Sequence, residues 1–488
     1  MTQNRAMTTE RGVAAVEDTA ELRARFRGAL LRPGEEGYDE ARRVWNGAID
    51  RRPALIARCA GADDVVEAVR FARERDLLVS VRGGGHAVAG HAVCDGGMMV
   101  DLSLMKAIHV DPAGRTARAA GGVLWGELDR ATQAAGLATT GGLISHTGIA
   151  GLTLGGGLGH LMRRHGLTVD NLLSVELVTA DGTQMLVDAE SEPELFWGLR
   201  GGGGNFGVAT AFEYRLHPVG PLAVGGPVFW PLADAPRVLR ALRAYAPEAP
   251  DELGMTMSMM LAPPLPFLAP EHFGKPVVAL VLVWTGELDA AERALAPLRR
   301  VGNPLADAVS VAPYVALQSM LDGGAPHGRQ YYWKAHRLEH LSDAVIHVCL
   351  ERMSAVTSPF CQIQGWAMGG AASRVRADAT AVGRREVGFE VSFVTGWPPS
   401  DTEGERHRAW SRAGWDALRA ESVGVYANFI SDEGDAGVDA AYGDRVARLT
   451  TLKDRYDPEN FFRMNANIVP TAGAMAGEVT RPRGGGDR

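Results

Sequence analysis

Lysine is nearly missing from this 488-residue chain: of its 50 basic side chains only Lys106, Lys275, Lys334 and Lys453 are amines, and the other 46 are arginine. The net charge is -8 and no basic block stands out, which argues against nucleic acid or an anionic membrane as partner. Cysteine is scarce as well. Cys59, Cys94, Cys349 and Cys361 are far apart and match no C-x-x-C spacing, so no metal is expected. Buried free thiols in a reducing, cytoplasmic setting are the expectation. Long apolar runs are also wanting: the longest near the middle, Pro276 to Trp284, is too short to span a bilayer and suits a buried strand. Residues 1–27 mix acidic and basic side chains without an apolar core, so no secretory signal is expected there.

What the chain has is glycine, gathered in clusters. The first, Arg82-Gly83-Gly84-Gly85-His86, follows a strand-like run at Leu77 to Val81. Without Cβ atoms, this backbone can take positive φ and let an anion or a ring lie against its N–H groups. A tight turn alone would also use such residues. With Gly90 and Met99-Val100-Asp101-Leu102-Ser103 behind it, however, the stretch resembles the flavin loop of the FAD-linked oxidases, the berberine-bridge-enzyme-like branch of the vanillyl-alcohol-oxidase family. The resemblance implies FAD bonded through a ring nitrogen of His86 to the 8-methyl carbon of the isoalloxazine.

The approach to this loop reads as a βαβ unit. Ala54 to Cys59 is strand-like, Asp63 stands where a helix cap belongs, and Val65, Val66, Val69 and Ala72 follow at helical spacing. A second helix is expected over Val123 to Ala135. It leads to a second glycine stretch, Gly141 to Gly159, containing Gly142, Thr147, Gly148, Gly151 and Gly157. This resembles the family's second flavin-binding segment. Doubly attached relatives have a cysteine where Ile144 stands, so a single bond through His86 is implied. Thr147 occupies the position the family associates with oxygen access, and both an oxidase and a dehydrogenase are compatible with it. His146 and His160 lie in the same stretch.

A third cluster holds Gly202-x-Gly204-x-x-Gly207, formally a dinucleotide fingerprint. The fingerprint needs a strand before it and a helix after it, so that a pyrophosphate meets a helix N-terminus. Here Glu194 to Leu199 reads as helix and Val208 to Leu216 as strand. An NAD-binding unit is therefore rejected, and Gly207 and Val208 are assigned to the flavin domain.

After His217-Pro218 the character changes to long helical and strand segments, among them helices at Ala233 to Ala244 and Asp289 to Arg299 and strands at Val277 to Trp284 and Val387 to Val394. Tyr331, Tyr332, Trp333, Trp366 and Trp397 are candidates to line a pocket there. The chain ends with Tyr426-Ala-Asn-Phe429 and Asn465-Ala-Asn467. Alternation on extended pieces would aim Asn465 and Asn467 at one ligand, and Tyr426 with Asn428 to another face in common. This resembles the berberine-bridge segment, whose asparagines reach the cofactor. Many relatives read Tyr-x-Asn-Tyr and use the second tyrosine as base, whereas this chain has Phe429. Tyr426, Tyr332 and His146 head the remaining candidates for a catalytic proton acceptor, with Asp432, Glu433 and Lys334 behind them.

The expected fold is α+β: a two-subdomain FAD-binding domain of the PCMH type plus an α/β substrate domain with a mixed or antiparallel sheet. Residues 1–49 would be an N-terminal extension with helices, 50–218 the FAD domain, 219–425 the substrate domain and 426–470 the returning segment. Residues 471–488 are expected to be a disordered tail. The function implied is hydride transfer from a small or medium organic substrate to FAD, with O2 as the expected acceptor. A dehydrogenase with another acceptor and a flavin-bound binding protein without turnover are the alternatives. Oligomeric state is not legible.

Overall fold

The structure is a computed structural model and describes residues 16–473. Most of the expected tail and the first residues of the expected N-terminal extension thus lie outside the described residues. The first sheet has four strands in the order Ala29–Leu31, Leu55–Arg58, Met98–Asp101, Val79–Arg82. The last three are parallel and the first is antiparallel to its neighbour. The helix Ala62–Glu74 connects Leu55–Arg58 to Val79–Arg82, but those strands do not touch. Met98–Asp101, buried along its whole length, lies between them. The helix also starts two residues earlier than its sequence suggests. Gly61 precedes it, Asp63 is exposed, and the buried carboxylate of Asp64 accepts from the N–H groups of Arg27, Gly28 and Ala60. Its charge sits where the helix dipole favours an anion.

The second sheet is antiparallel, in the order Ile108–Asp111, Thr116–Ala120, Val208–Arg215, Leu172–Val178, Gln184–Asp188. The third glycine cluster joins the helix Pro193–Leu199 to the strand Val208–Arg215, so the helix comes before the strand. That order is the reverse of a dinucleotide fold and removes the helix N-terminus a pyrophosphate would need there.

From Leu222 the chain builds a nine-stranded sheet in which every recorded pair is antiparallel. Its two faces follow from period-two alternation. On Leu253–Leu261, Met255, Met257 and Met259 pack into a core with Val238, Leu242, Leu295, Ile346 and Trp410 from the covering helices. Thr256, Ser258 and Met260 face the other way, into a cavity. The cross-strand partners keep that phase, because Thr256 pairs with Trp366, Ser258 with Gln364 and Met260 with Gln362. One face therefore packs on helices and the other lines the cavity.

The C-terminal segment returns to the first core, where Val425, Ile430, Phe462 and Ile468 pack with Leu55 and Val100. A buried knot fastens it. The ammonium of Lys453, wholly buried, donates to Asp457, to the Phe462 carbonyl and to the Asn205 carbonyl of the third glycine cluster. Among the described residues all four cysteines are buried free thiols, no helix is long and apolar enough to cross a membrane, and no cluster suited to a metal ion occurs.

Candidate active site

The cavity has a volume of about 1090 Å³ and opens between the glycine loops and the free face of the large sheet. Its glycine side is made of backbone. Gly83, Gly84 and Gly85 line it, as do Gly142, Gly148 and Gly151 of the second loop and Gly207 with Val208 of the third. A Cβ on Gly84 would stand 2.3 Å from the Gly148 nitrogen, and one on Gly148 would stand 2.3 Å from the Gly84 nitrogen. These two loops touch through their backbones, and any side chain would drive them apart. Gly151 is different. A Cβ there would meet nothing within 4 Å, so no protein neighbour explains its smallness, whereas a group lying across the cavity would.

His86 forms one corner. Its ring stacks on Trp45 at 4.2 Å and 15°, and Trp45 stacks in turn on Tyr331 at 3.9 Å and 12°. The indole Nε1 donates to the Ala325 carbonyl at 2.8 Å, fixing the middle ring. His146 lies 5.0 Å from His86, and His327 lies 4.7 Å from His146. Burial first, then these neighbouring imidazoles, depress the His86 pKa to about 3, so its ring is neutral at pH 7. Its Nε2 is buried and has no hydrogen-bond partner. A buried polar atom left without a partner calls for an explanation, and a group bonded or hydrogen-bonded at that atom supplies one.

The C-terminal segment gives Asn428 and Asn465 to the same cavity. Asn465 donates to the carbonyls of Gly204 and Phe462, while its Oδ1 is buried and unpaired, as is Oδ1 of Asn467. Residues 464–466 form a bend, not an extended piece, and Asn467 does not line the cavity. Nor is the Tyr426 segment a strand: Ala427–Phe429 is a 3-10 turn. Tyr426 and Asn428 nonetheless meet, the amide donating to the phenol oxygen at 2.8 Å. The same oxygen accepts from the Gly157 N–H at 2.7 Å, and burial pushes the phenol up to about 12. Tyr426 is thereby tied into the second glycine loop. Phe429 sits among Tyr426, Trp333 and Trp366 at 4.9 to 5.3 Å.

Several of the expected site residues stand outside the lining. Arg82 turns its guanidinium to the Ala41 carbonyl and Asp101. Gly90, at φ +73°, packs on Ile49, and Gly157, at φ +86°, meets Thr168. His146 is half-buried beside the lining, its pKa lowered chiefly by burial. Tyr332 points to the opposite face of its strand, where its hydroxyl donates to Asp432, which also pairs with Lys334. Its neighbours Tyr331 and Trp333 face the cavity instead. Thr147 lines it, and so does Ile144. Sequence reasoning missed Trp45, His327, Arg329, Gln362 and Gln364. None belongs to a local pattern, and only the fold brings them together.

The residues present fit a flavin dinucleotide. Backbone N–H groups gathered at three glycine loops suit a diphosphate, the open space over Gly151 suits a ring system, and unpaired atoms of His86 and Asn465 aim at it. The chain matches the FAD binding domain family over residues 53–188 and the berberine and berberine-like family over residues 425–469. It is 32% identical over 469 residues to an FAD-linked oxidoreductase of Dictyostelium discoideum, covering 95% of this chain and 99% of that one. It is 32% identical over 460 residues to (R)-6-hydroxynicotine oxidase of Paenarthrobacter nicotinovorans, covering 91% and 97%. The crystal structure of 6-hydroxy-D-nicotine oxidase from Arthrobacter nicotinovorans superposes with a TM-score of 0.83 at 30% identity, covering 93% of this chain and 99% of that one. A chitooligosaccharide oxidase shares the fold, with a TM-score of 0.81 at 22% identity over 94% of this chain and 100% of that one.

Proposed function

This chain belongs to the berberine-bridge-enzyme-like branch of the vanillyl-alcohol-oxidase family and is an FAD-linked oxidoreductase, and we propose that it is an oxidase whose flavin is bonded to His86 alone. The observation that carries the attachment is the unpaired, buried Nε2 of a neutral His86 in the cavity wall, with Ile144 in place of a second anchoring residue. When bound, FAD supplies the two-electron acceptor for a hydride leaving a substrate C–H, and dioxygen then takes the electrons to give hydrogen peroxide. The oxidases among the relatives support dioxygen in that role.

The chain's own groups bind and orient. The glycine-loop N–H groups would hold the diphosphate of the bound cofactor, and Asn428 and Asn465 would reach its ring system. The Trp45 stack fixes the His86 imidazole. Tyr426 acts as a positioning residue, because both hydrogen bonds at its phenol oxygen hold the Gly157 turn and Asn428 in place. Among the three candidates for proton transfer, only His146 combines a lowered pKa with a place beside His86. The domain division at residue 219 follows the passage of the chain from the small two-stranded sheet at His217–Pro218 into the large one at Leu222. The four buried free thiols support a reducing location, the cytoplasm.

The test is denaturation followed by peptide mass mapping. A flavin-sized increment on the peptide bearing His86 is expected, and flavin released free by denaturation would overturn the covalent assignment. Anaerobic reduction followed by admission of air should restore the yellow colour with release of peroxide. Slow recovery without peroxide would instead make the enzyme a dehydrogenase.

A further inference from the structure

The substrate side of the cavity has an unusual charge content. Among the described residues no aspartate, glutamate or lysine lines the cavity, and apart from imidazoles the single charged side chain there is Arg329. That guanidinium lies over the Phe360 ring at 3.7 Å and donates to the Gly324 carbonyl at 3.2 Å. It forms no ion pair among the described residues. The surrounding surface is aromatic and apolar: Trp333, Trp366, Phe429 and Phe229 line it, and so do Phe267 and Phe273 from the loop between two long strands. These last two are 42% and 37% exposed at the cavity's rim. The loop holding them carries four prolines between positions 263 and 270, so it is a stiff apolar lip. The polar groups on the sheet face are neutral, and two of them, Gln364 and Gln362, already bond to each other at 2.8 Å.

Building on the flavin reading above, we propose that the substrate is an aromatic, largely apolar molecule without positive charge, bearing an acidic oxygen, phenolic or carboxylic, that is held by Arg329. A cation would enter a wall without a counter-charge. The attraction of a ring face does not offset the desolvation of an ammonium, and Arg329 opposes it further. A sugar would find only Ser258 Oγ and the indole N–H groups of Trp333 and Trp366 as buried partnerless atoms on this wall, too few for its hydroxyl groups, most of which would be left buried and unpaired. An aromatic anion meets both features at once, with ring faces for its body and, for its oxygen, a guanidinium that has no carboxylate partner among the described residues.

The experiment is a binding comparison on the flavin-loaded protein, reading perturbation of its visible flavin spectrum. The probes are 2-naphthoate, 2-naphthalenemethanol, 2-naphthylmethylamine and cellobiose. Naphthoate should bind about tenfold or more tightly than the ammonium probe, the worth of one charge-assisted hydrogen bond, and cellobiose should give no signal. Arg329→Gln should remove about that factor for naphthoate while leaving the neutral alcohol within about twofold, and Arg329→Lys should restore part of it. Tighter binding of the ammonium or the sugar, no binding of any naphthyl compound, or equal loss for acid and alcohol in Arg329→Gln would overturn the proposal. Protein that carries no flavin at all would overturn the oxidoreductase reading instead, so the two failures are told apart in one sample.

Discussion

The glycine side of the cavity and its sheet side are built in opposite ways. The first is backbone from three loops, close-packed so that Gly84 and Gly148 have no room for a Cβ. The second is side chains from six strands spread over residues 227–394, with alternate residues such as Thr256, Ser258 and Met260, or Tyr331 and Trp333, turned inward. A backbone surface accepts whatever has the shape of the cofactor and tolerates almost no substitution. A side-chain surface is rewritten one residue at a time while the sheet and its helix-packed face stay intact. The same contrast lets one fold serve compounds as different as those the names of its relatives record.

The sharpest way to break this comparison is to place a side chain in the backbone half. In Gly84→Val the new Cβ would meet the nitrogen and Cα of Gly148 at 2.3 and 2.5 Å, and neither belongs to a flexible side chain. The loops must separate, at a cost above the roughly 1–3 kcal/mol of ordinary overpacking. The purified protein should carry no visible flavin. Trp366→Leu on the opposite wall should keep full flavin and change only which compounds bleach it. Full flavin content in Gly84→Val would remove the distinction between the two halves.

A smaller effect decides to which half Tyr426 belongs. Its phenol oxygen accepts from the buried Gly157 N–H and the half-buried Asn428 amide, so Tyr426→Phe leaves donors without that partner. Asn428 keeps a second acceptor in the Leu152 carbonyl. The expected loss is about 2 kcal/mol, read from the urea midpoint. The pH profile of anaerobic flavin reduction should keep its shape, because a phenol held near 12 is not the group titrating in it. Disappearance of one limb of that profile would make Tyr426 the base and move it to the substrate half.

The same division governs what the sequence made legible. Glycine loops announce themselves locally, so the cradle, the order of helix before strand around Gly207, and the substitution of Phe429 were all readable. The substrate wall depends on strand phase and long-range register. Tyr331, Tyr332 and Trp333 are equally plausible in sequence, and only the pairing of Trp333 with Val394 and Tyr331 with Gly396 sets which ones face inward. Trp45 lies in a stretch without a motif, and its stack on His86 exists because the chain before the first parallel strands folds back over the loop. The two-residue shift of that helix escaped for a related reason: nothing local sets Asp63 apart from Asp64, and tertiary contacts with Arg27 and Gly28 hold Asp64 inside the first turn, behind Gly61.

The smallest expected effect tests the seam between the halves. His160 follows the second glycine loop, and its carbonyl is pressed on the large sheet, where a Cβ on Gly254 would come within 2.5 Å of it. The ring is buried, neither nitrogen has a partner, and burial lowers its pKa to about 4. In the unfolded chain the same group titrates near 6.5, so between pH 6.5 and 4 the unfolded state takes up a proton that the folded state refuses. Stability is therefore complete above the unfolded pKa and falls as pH drops through this window. The loss is about 1 kcal/mol from pH 7 to 5.5 and about 3 kcal/mol by pH 4, with no further change below. His160→Leu should remove this contribution, so that the difference between urea unfolding free energies at pH 7 and 5.5 shrinks by about 1 kcal/mol relative to the parent chain. An unchanged difference would mean that the seam admits water and that the imidazole titrates there as it does in the open, in which case the two halves slide past each other more freely than their packing implies.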